Sequence, residues 1–432
     1  MSVDEGSPWR HRDFRLIWAG QTVSLIGSQV TVLALPLTAI GLKASTFQVS
    51  LLTAFSTLPF LLVSLPAGVV VDRCRRRSVM LYADLLRAAL LGSVPVAELA
   101  GVLTLWQLYA VALAVGCCTV FFDSAYLSFP ATLLERDQLV AANSMISSAN
   151  AVAGVAGPNL SGFVVGLIGA ARTITLDAFS YLASALSLLL VKHREPAPEP
   201  APPAERGLRR ELLEGLRVIG GNRVLGGITA SNAIGNLMFT AILAIWTPYA
   251  IRELHWSART LGMVMGASAL GSVTATIVAQ PLIKRYGLPR VLLFSQSPVV
   301  PAWLAAGLAP KGLGGQFLAA AGLMVGLVAA VVYNIAQRTY RVTTCEPRLL
   351  GRVNATTMWL QLGIRPIAAL LGGGLGTLLG LQPTIICCAV LLVLCPAALW
   401  TSPLRQELRE GPAPEPEPAT DGPAEPAQPA GR

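Results

Sequence analysis

Apolar residues arrive in blocks of roughly 18 to 25, the length a helix needs to cross about 30 Å of hydrocarbon. Short segments rich in charge and turn formers separate the blocks. Reading between those breaks predicts spans near 16–40, 47–71, 79–98, 103–127, 142–168 and 172–191. A second set follows near 224–250, 259–283, 289–308, 314–336, 353–378 and 382–401. The expected fold is an all-α membrane protein with twelve transmembrane helices in two six-helix, pseudo-symmetric bundles.

The expected organisation is an N-terminal segment (1–15), a first bundle (16–192), a connecting segment (193–222), a second bundle (223–402) and a tail (403–432). The apolar block after Trp9-Arg10-His11-Arg12 is too long for a signal-peptide core, and no small-residue cleavage site follows, so it reads as a retained first helix. Between the bundles, Glu195-Pro196-Ala197-Pro198-Glu199-Pro200 and the Pro202-Pro203 pair favour extended polyproline geometry and predict a linker. Leu208 to Ile219 alternates charged and apolar residues at helical spacing, which predicts a short helix along the membrane interface. The Pro/Glu-rich tail beyond Arg409 reads as disordered.

Composition agrees with lipid as the solvent: 53% of the 432 residues are hydrophobic and 13% are charged. The net charge of +9 does not point to nucleic acid, because Lys and Arg lie between the apolar blocks rather than on an aromatic-studded face. Assigning loops alternately to two sides puts most of the 32 Lys and Arg with both termini, four of them at 73–77, which predicts cytoplasmic termini and a multi-pass protein of the cell membrane. The seven cysteines, among them Cys117-Cys118 and Cys387-Cys388, show no Cys-x-x-Cys spacing and read as small core residues. His11, His193 and His255 all fall in loops, with no metal or triad spacing, and no Gly-Lys pair exists for a phosphate loop. Neither an enzyme, nor an ATP-driven pump, nor a cofactor or resident metal is expected.

The halves read as parallel repeats. VDRCRRR after span two matches KRYGLPR after span eight, and AGVAGPNLSG in span five matches GIRPIAALLGGG in span eleven, each after a polar segment with an early Asn, Asn143 or Asn354. Such repeats place a binding site at their interface near the bilayer midplane.

Over residues 12–402 the chain resembles the major facilitator superfamily, in the drug-exporting branch that includes macrolide-efflux and enterobactin-exporter proteins. The motif Gly68-x-x-x-Asp72-Arg73-x-x-Arg76-Arg77 is similar to the superfamily's signature between helices two and three, with Arg75 where relatives carry a turn glycine. The resemblance implies a gate holding the halves together on the cytoplasmic side. Gly68 would permit close helix contact, Asp72 would cap or pair with the other half, and the arginines would anchor at headgroups. A plain positive-inside loop is the alternative. Gly154, Gly157, Pro158 and Gly162 resemble the helix-five motif of exporters, with Ala153 and Ser161 where relatives often have glycine. Generic small-residue packing is the alternative there.

Ionisable groups inside the membrane are functional candidates. Asp84 and Arg87 share a face of helix three, about 8 and 12 Å from its cytoplasmic start. With Asp123, near the inner mouth of helix four, they predict either a structural network joining helices two, three and four or a proton-coupling site. Asp177 stands alone near the outer end of helix six, as a solvated carboxylate or a proton carrier. Arg365 should be the deepest charge, about 18 Å into helix eleven. It would bind an anionic group of a substrate or satisfy the Leu362 carbonyl, which Pro366 deprives of a partner.

Two polar faces recur at helical spacing: Gln21, Ser24 and Ser28 on helix one, and Asn232, Asn236 and Thr240 on helix seven. Helix–helix hydrogen bonds explain them as well as a cavity does. The resemblance implies that helices one, four, seven and ten surround the pathway, which favours these faces and adds Trp246, Tyr333 and Asn334. The expected function is proton-coupled efflux of a drug-like or natural-product molecule by alternating access, with the proton and the bilayer as partners and a monomer as the unit. The rivals are an importer or facilitator of the same fold and a scaffold or sensor that transports nothing.

Overall fold

The computed structural model describes residues 8–135, 138–193, 195 and 208–404. The helices begin with α1 (Arg12–Gly41), α2 (Thr46–Leu62), α3 (Ser64–Asp72), α4 (Arg76–Leu99), α5 (Leu105–Ser128), α6 (Pro130–Leu133), α7 (Gln138–Ile168) and α8 (Ala170–Leu190). They continue with α9 (Leu208–Gly221), α10 (Arg223–Arg252), α11 (Ala258–Tyr286), α12 (Leu288–Phe294), α13 (Val299–Gly307) and α14 (Leu313–Thr344). The last four are α15 (Pro347–Gly363), α16 (Arg365–Leu378), α17 (Leu381–Leu391) and α18 (Leu394–Trp400). Most of the expected linker and all of the chain beyond Leu404 lie outside the described residues.

Each predicted span coincides with one helix or with two that meet end to end. Where there are two, a proline is the cause, because its missing N–H deprives the carbonyl four residues earlier of a helical partner. The breaks fall at Leu62 before Pro66, Phe294 before Pro298, Leu362 before Pro366 and Leu392 before Pro396. At the second break the Phe294 carbonyl accepts from the Ser297 N–H at 3.1 Å instead, closing a turn. Among the described residues nine helices are long and apolar enough to cross a membrane, ten when α2 and α3, bent by 60°, count as one span. The expected spans at 289–308 and 353–378 appear only as the shorter pairs α12–α13 and α15–α16.

A repeat that the sequence reading did not use appears in two turns. The turn after α1 holds Lys43 at φ 60° and the turn after α10 holds His255 at φ 55°, left-handed values uncommon for residues with a Cβ. In both cases the next helix is N-capped two residues later by a serine: Ser45 accepts from the Gln48 N–H and Ser257 from the Thr260 N–H.

The N-terminal helices bury Leu52, Leu91, Leu108 and Ile174 in one cluster and Met80, Phe122, Phe129 and Leu188 in another. The C-terminal helices bury Leu292, Val332 and Tyr333 in one cluster and Trp246, Tyr249 and Ile385 in another, which Leu33 and Leu37 of α1 join. The two sets meet along two seams, α7 against α11 and α2 against α16.

One end of the molecule, the basic end, carries Arg73 to Arg77 and the starts of α1 and α10. At the opposite, far end the halves are tied directly. The Arg252 guanidinium donates to the Ala44 carbonyl and, at 3.1 Å, to the Thr46 hydroxyl, while the Ser50 hydroxyl donates to the Ala244 carbonyl at 3.4 Å. On the other seam, Gly162 of α7 and Gly262 of α11 sit so close that a Cβ on either would collide with backbone of the other helix. Toward the basic end the lower part of α7 is not covered: Asn143, Ser144, Ser147, Ser148 and Asn150 are exposed. The helix expected at 208–219 is α9. It is bolted to α15 by an ion pair between Glu214 and Arg352, and Gly215 abuts Thr356.

Candidate functional site

A cavity of about 520 Å³ lies between the two sets of helices. Gln29 and Val32 of α1 and Gly154 and Pro158 of α7 form one wall; α10, α11, α13, α14 and α16, with Gln296 from the α12–α13 break and Leu392 from the α17–α18 break, form the rest. That volume is in the range of pockets that enclose drug-sized ligands.

Its polar side is built by a relay of amides. Asn232 donates to Gln337 at 2.6 Å, Gln337 donates to Asn334 at 2.7 Å, and Asn236 donates to the Asn232 carbonyl at 3.1 Å. Gln337 is 1% exposed, so it orients the two asparagines without itself lining the cavity. The apolar side is aromatic: Trp303 meets Phe239 and Trp246 edge to face, with ring centroids 5.8 and 6.0 Å apart. Arg365 opens α16 directly after the proline break and is among the residues that line the cavity. No Asp or Glu is among the lining residues, and among the described residues no carboxylate pairs with Arg365.

Of the expected cavity residues, Asn232, Asn236, Trp246, Tyr333 and Asn334 line this space, and so does Arg365, which was expected as a deep membrane charge. Thr240 is buried behind it. The helix-one set is a correction. Ser28 shares a 2.9 Å hydrogen bond with the Tyr181 hydroxyl of α8, Ser24 is 2% exposed, and the Gln21 side-chain oxygen is buried. That face turns into the N-terminal bundle, and the cavity receives the face one residue on, at Gln29, about 100° round the helix. Ser268, Gln296 and Trp303 also line the cavity and were not foreseen. The polar run Ser295-Gln296-Ser297 directly before Pro298 was the available signal for Gln296.

The membrane charges gather in the N-terminal bundle, but not between the expected helices. Asp84 and Arg87 of α4 form a buried ion pair. The Arg87 guanidinium lies over the rings of Phe122 on α5 and Tyr181 on α8, 4.3 and 4.2 Å from their centroids, and Asp123 of α5 acts on the same cation. The cluster therefore joins helices three, four and six rather than two, three and four. Asp177 is neither alone nor solvated. It is 1% exposed and accepts from Thr31 of α1 at 2.5 Å and from Ser180 at 3.0 Å. The Leu362 carbonyl, offered as an alternative partner for Arg365, receives no bond from its side chain.

The gate motif is held differently from expectation. A Cβ on Gly68 would meet open space, and Asp72 is exposed, without a partner among the described residues. Arg73 is exposed as well. Arg77 caps the C-terminus of α8, donating to the Leu188 and Leu189 carbonyls at 2.8 and 3.0 Å, while its backbone N–H donates to Glu195 at 3.1 Å. Arg76 is half-buried, with a side-chain nitrogen facing no acceptor among the described residues. In the helix-five motif, Gly157 lets α1 approach: a Cβ there would strike Gln29. Gly154 would admit a methyl group in ordinary contact with Ala269, and Ser161 donates to the Val30 carbonyl at 3.0 Å.

A family model described as a transmembrane secretion effector matches residues 4–421. The multidrug efflux pump Tap of Mycolicibacterium fortuitum is 23% identical over 389 residues, 88% of this chain and 93% of that protein. The enterobactin exporter EntS of Escherichia coli O1:K1 is 24% identical over 386 residues, 85% of this chain and 86% of that one. Among solved structures, a bacterial homologue of the iron transporter ferroportin, in an inward-facing state, superposes with a TM-score of 0.74 at 13% identity, covering 90% of this chain and 98% of that one. A bacterial homologue of the lysosomal transporter Spinster, inward-facing and occupied, also gives 0.74, at 15% identity, covering 95% of this chain and all of that one. Those solved structures share the fold, and the family match spans nearly every residue: the chain belongs to the major facilitator superfamily, in the branch of the transmembrane secretion effectors that includes multidrug and enterobactin exporters.

Proposed function

We propose that this protein exports a drug-like or natural-product molecule from the cell by alternating access, in exchange for protons. The observation that carries the reading is the drug-sized cavity between helices from the two ends of the chain, tied shut at the far end. In this reading each helix pair broken by a proline is one crossing, giving twelve in two six-helix halves. Both termini are cytoplasmic, the basic end faces the cytoplasm, and a single chain is the working unit. The resting form is then open inward. Two seams, α7–α11 and α2–α16, serve as the surfaces along which the halves rock, and glycine-lined seams suit sliding because small residues leave little to interlock.

The outward direction is supported by the relatives, which are exporters by name. Proton coupling is supported by the buried carboxylates Asp84 and Asp177 and the half-buried Asp123, which can be neutral or charged as access alternates. In everted vesicles, a gradient acid inside should drive accumulation of a substrate found by comparing the drug susceptibility of cells with and without the protein. Accumulation that ignores the gradient removes the coupling, and accumulation only in right-side-out vesicles makes the protein an importer. Coupled transport that survives Asp84→Asn, Asp123→Asn and Asp177→Asn alike removes those residues as carriers.

A further inference from the structure

We infer that the cavity selects an amphipathic organic anion, whose carboxylate or similar oxyanion is held by Arg365 and whose apolar body lies against the Phe239–Trp246–Trp303 wall. This names the substrate class of the transport site and rests on the reading of the cavity as that site. Three observations carry it.

First, Arg365 is the one charged side chain among the described cavity lining, and no carboxylate neutralises it. A guanidinium cannot shed its proton as a lysine would, so a cation at this depth needs a partner, and here the partner is left to the ligand. The contrast with the N-terminal bundle is direct: Arg87, buried in that bundle, has Asp84 and two aromatic faces. Second, the neighbouring polar groups include an unused donor. The relay occupies the Asn334 oxygen and leaves its amide nitrogen without an acceptor among the described residues. A donor and one fixed cation recognise acceptor oxygens and negative charge. Third, the backbone sets where the arginine starts. Arg365 begins α16 at the proline break, between the seam helix α2, against which α16 packs, and the cavity. A cationic drug would meet an uncompensated positive charge in a low-dielectric site, which like-charge repulsion disfavours.

The test uses the full chain in nanodiscs of zwitterionic lipid and three aromatic scaffolds of one, two and three rings, each as carboxylate, methyl ester and primary ammonium. Binding is read as quenching of tryptophan fluorescence. For at least one scaffold the carboxylate should bind roughly tenfold or more tighter than its ester, and the ammonium more weakly than either. Arg365→Gln should remove that preference while leaving the ester's affinity unchanged, and Arg365→Lys should restore part of it. If Arg365→Gln fails to fold, Asn334→Ala provides the second reading, since it should narrow the carboxylate-to-ester ratio without abolishing it. Ester and ammonium binding as tightly as carboxylate, no carboxylate binding at millimolar concentration, or a preference indifferent to Arg365 overturns the inference. Selective anion binding without any vesicle transport leaves the anion site standing and defeats the transport reading. Transport of cations unchanged in Arg365→Gln does the reverse.

Discussion

At the scale of single residues, the buried Asp84–Arg87 pair and the Gln29/Ser28 register give the sharpest expectations. Arg87→Met leaves Asp84 in the interior without its cation, and breaking a buried pair this way costs about 3–5 kcal/mol. Removing both charges together, as Asp84→Asn with Arg87→Met, should recover a large part of that loss. Thermal melting of the four purified proteins checks it; additive losses would show that the pair is not a coupled unit. On α1, Gln29→Ala should weaken substrate affinity with little change in melting temperature, whereas Ser28→Ala, which deprives Tyr181 of its partner, should do the opposite. Sequence periodicity found a polar stripe on this helix but could not tell which stripe the cavity uses. A hydroxyl that bonds a neighbouring helix and an amide that faces a cavity look alike in a sequence, and the two faces differ by one residue. The cavity residues of α10 and α14 were legible in two ways: Asn232 and Asn236 recur at helical spacing, and the resemblance, which puts helices seven and ten around the pathway, added Trp246, Tyr333 and Asn334. Gln296 was not, because the turn that presents it interrupts a block that reads as continuous.

At the scale of elements, helix positions were almost wholly readable, because hydrocarbon thickness sets their length and charged breaks set their ends. What the reading missed was continuity: apolar composition continues through Leu62 and Leu392, and only Ser295-Gln296-Ser297 interrupts it after Phe294, although the hydrogen-bond ladder breaks at all three. The prolines that cause those breaks were visible all along, yet prolines at 36, 95, 158, 248 and 281 lie inside unbroken helices, so residue type alone does not separate the two outcomes. The α7–α11 seam yields a prediction of its own. Gly162→Leu introduces a side chain where two backbones meet and should wedge the far end apart. In a background without the native cysteines, a cysteine at Ile251 should then react several times faster with an impermeant maleimide added from the far side. Unchanged labelling would mean that the seam does not seal that end. Arg77→Ala should free the α8 carbonyls from their cap and cost about 1–3 kcal/mol by thermal melting, because those acceptors lose a charged donor.

At the scale of the whole molecule, the two ends of the chain carry different charges in the membrane. The N-terminal helices hold Asp84, Asp123 and Asp177 with Arg87, while the cavity-lining C-terminal helices contribute Arg365. That division was only half legible: the depth of Arg365 follows from counting residues, but its lack of a counter-ion depends on which helices enclose it. Its isolation has an electrical consequence. A charge that traverses the whole of a 100 mV field exchanges about 2.3 kcal/mol with it, and one whose access switches from one side to the other exchanges a fraction of that. An unloaded carrier with a bare guanidinium at its centre therefore feels the membrane voltage, whereas one that has taken up an organic anion is neutral at that point and does not. In proteoliposomes at potentials set with valinomycin, exchange of labelled for unlabelled anion should proceed at a voltage-independent rate, while net export, which includes the proton-loaded return without anion, should speed up or slow down with the applied potential. Arg365→Gln should flatten the second dependence to match the first. The same lone cation that picks the cargo would then also decide which half of the cycle runs as a current.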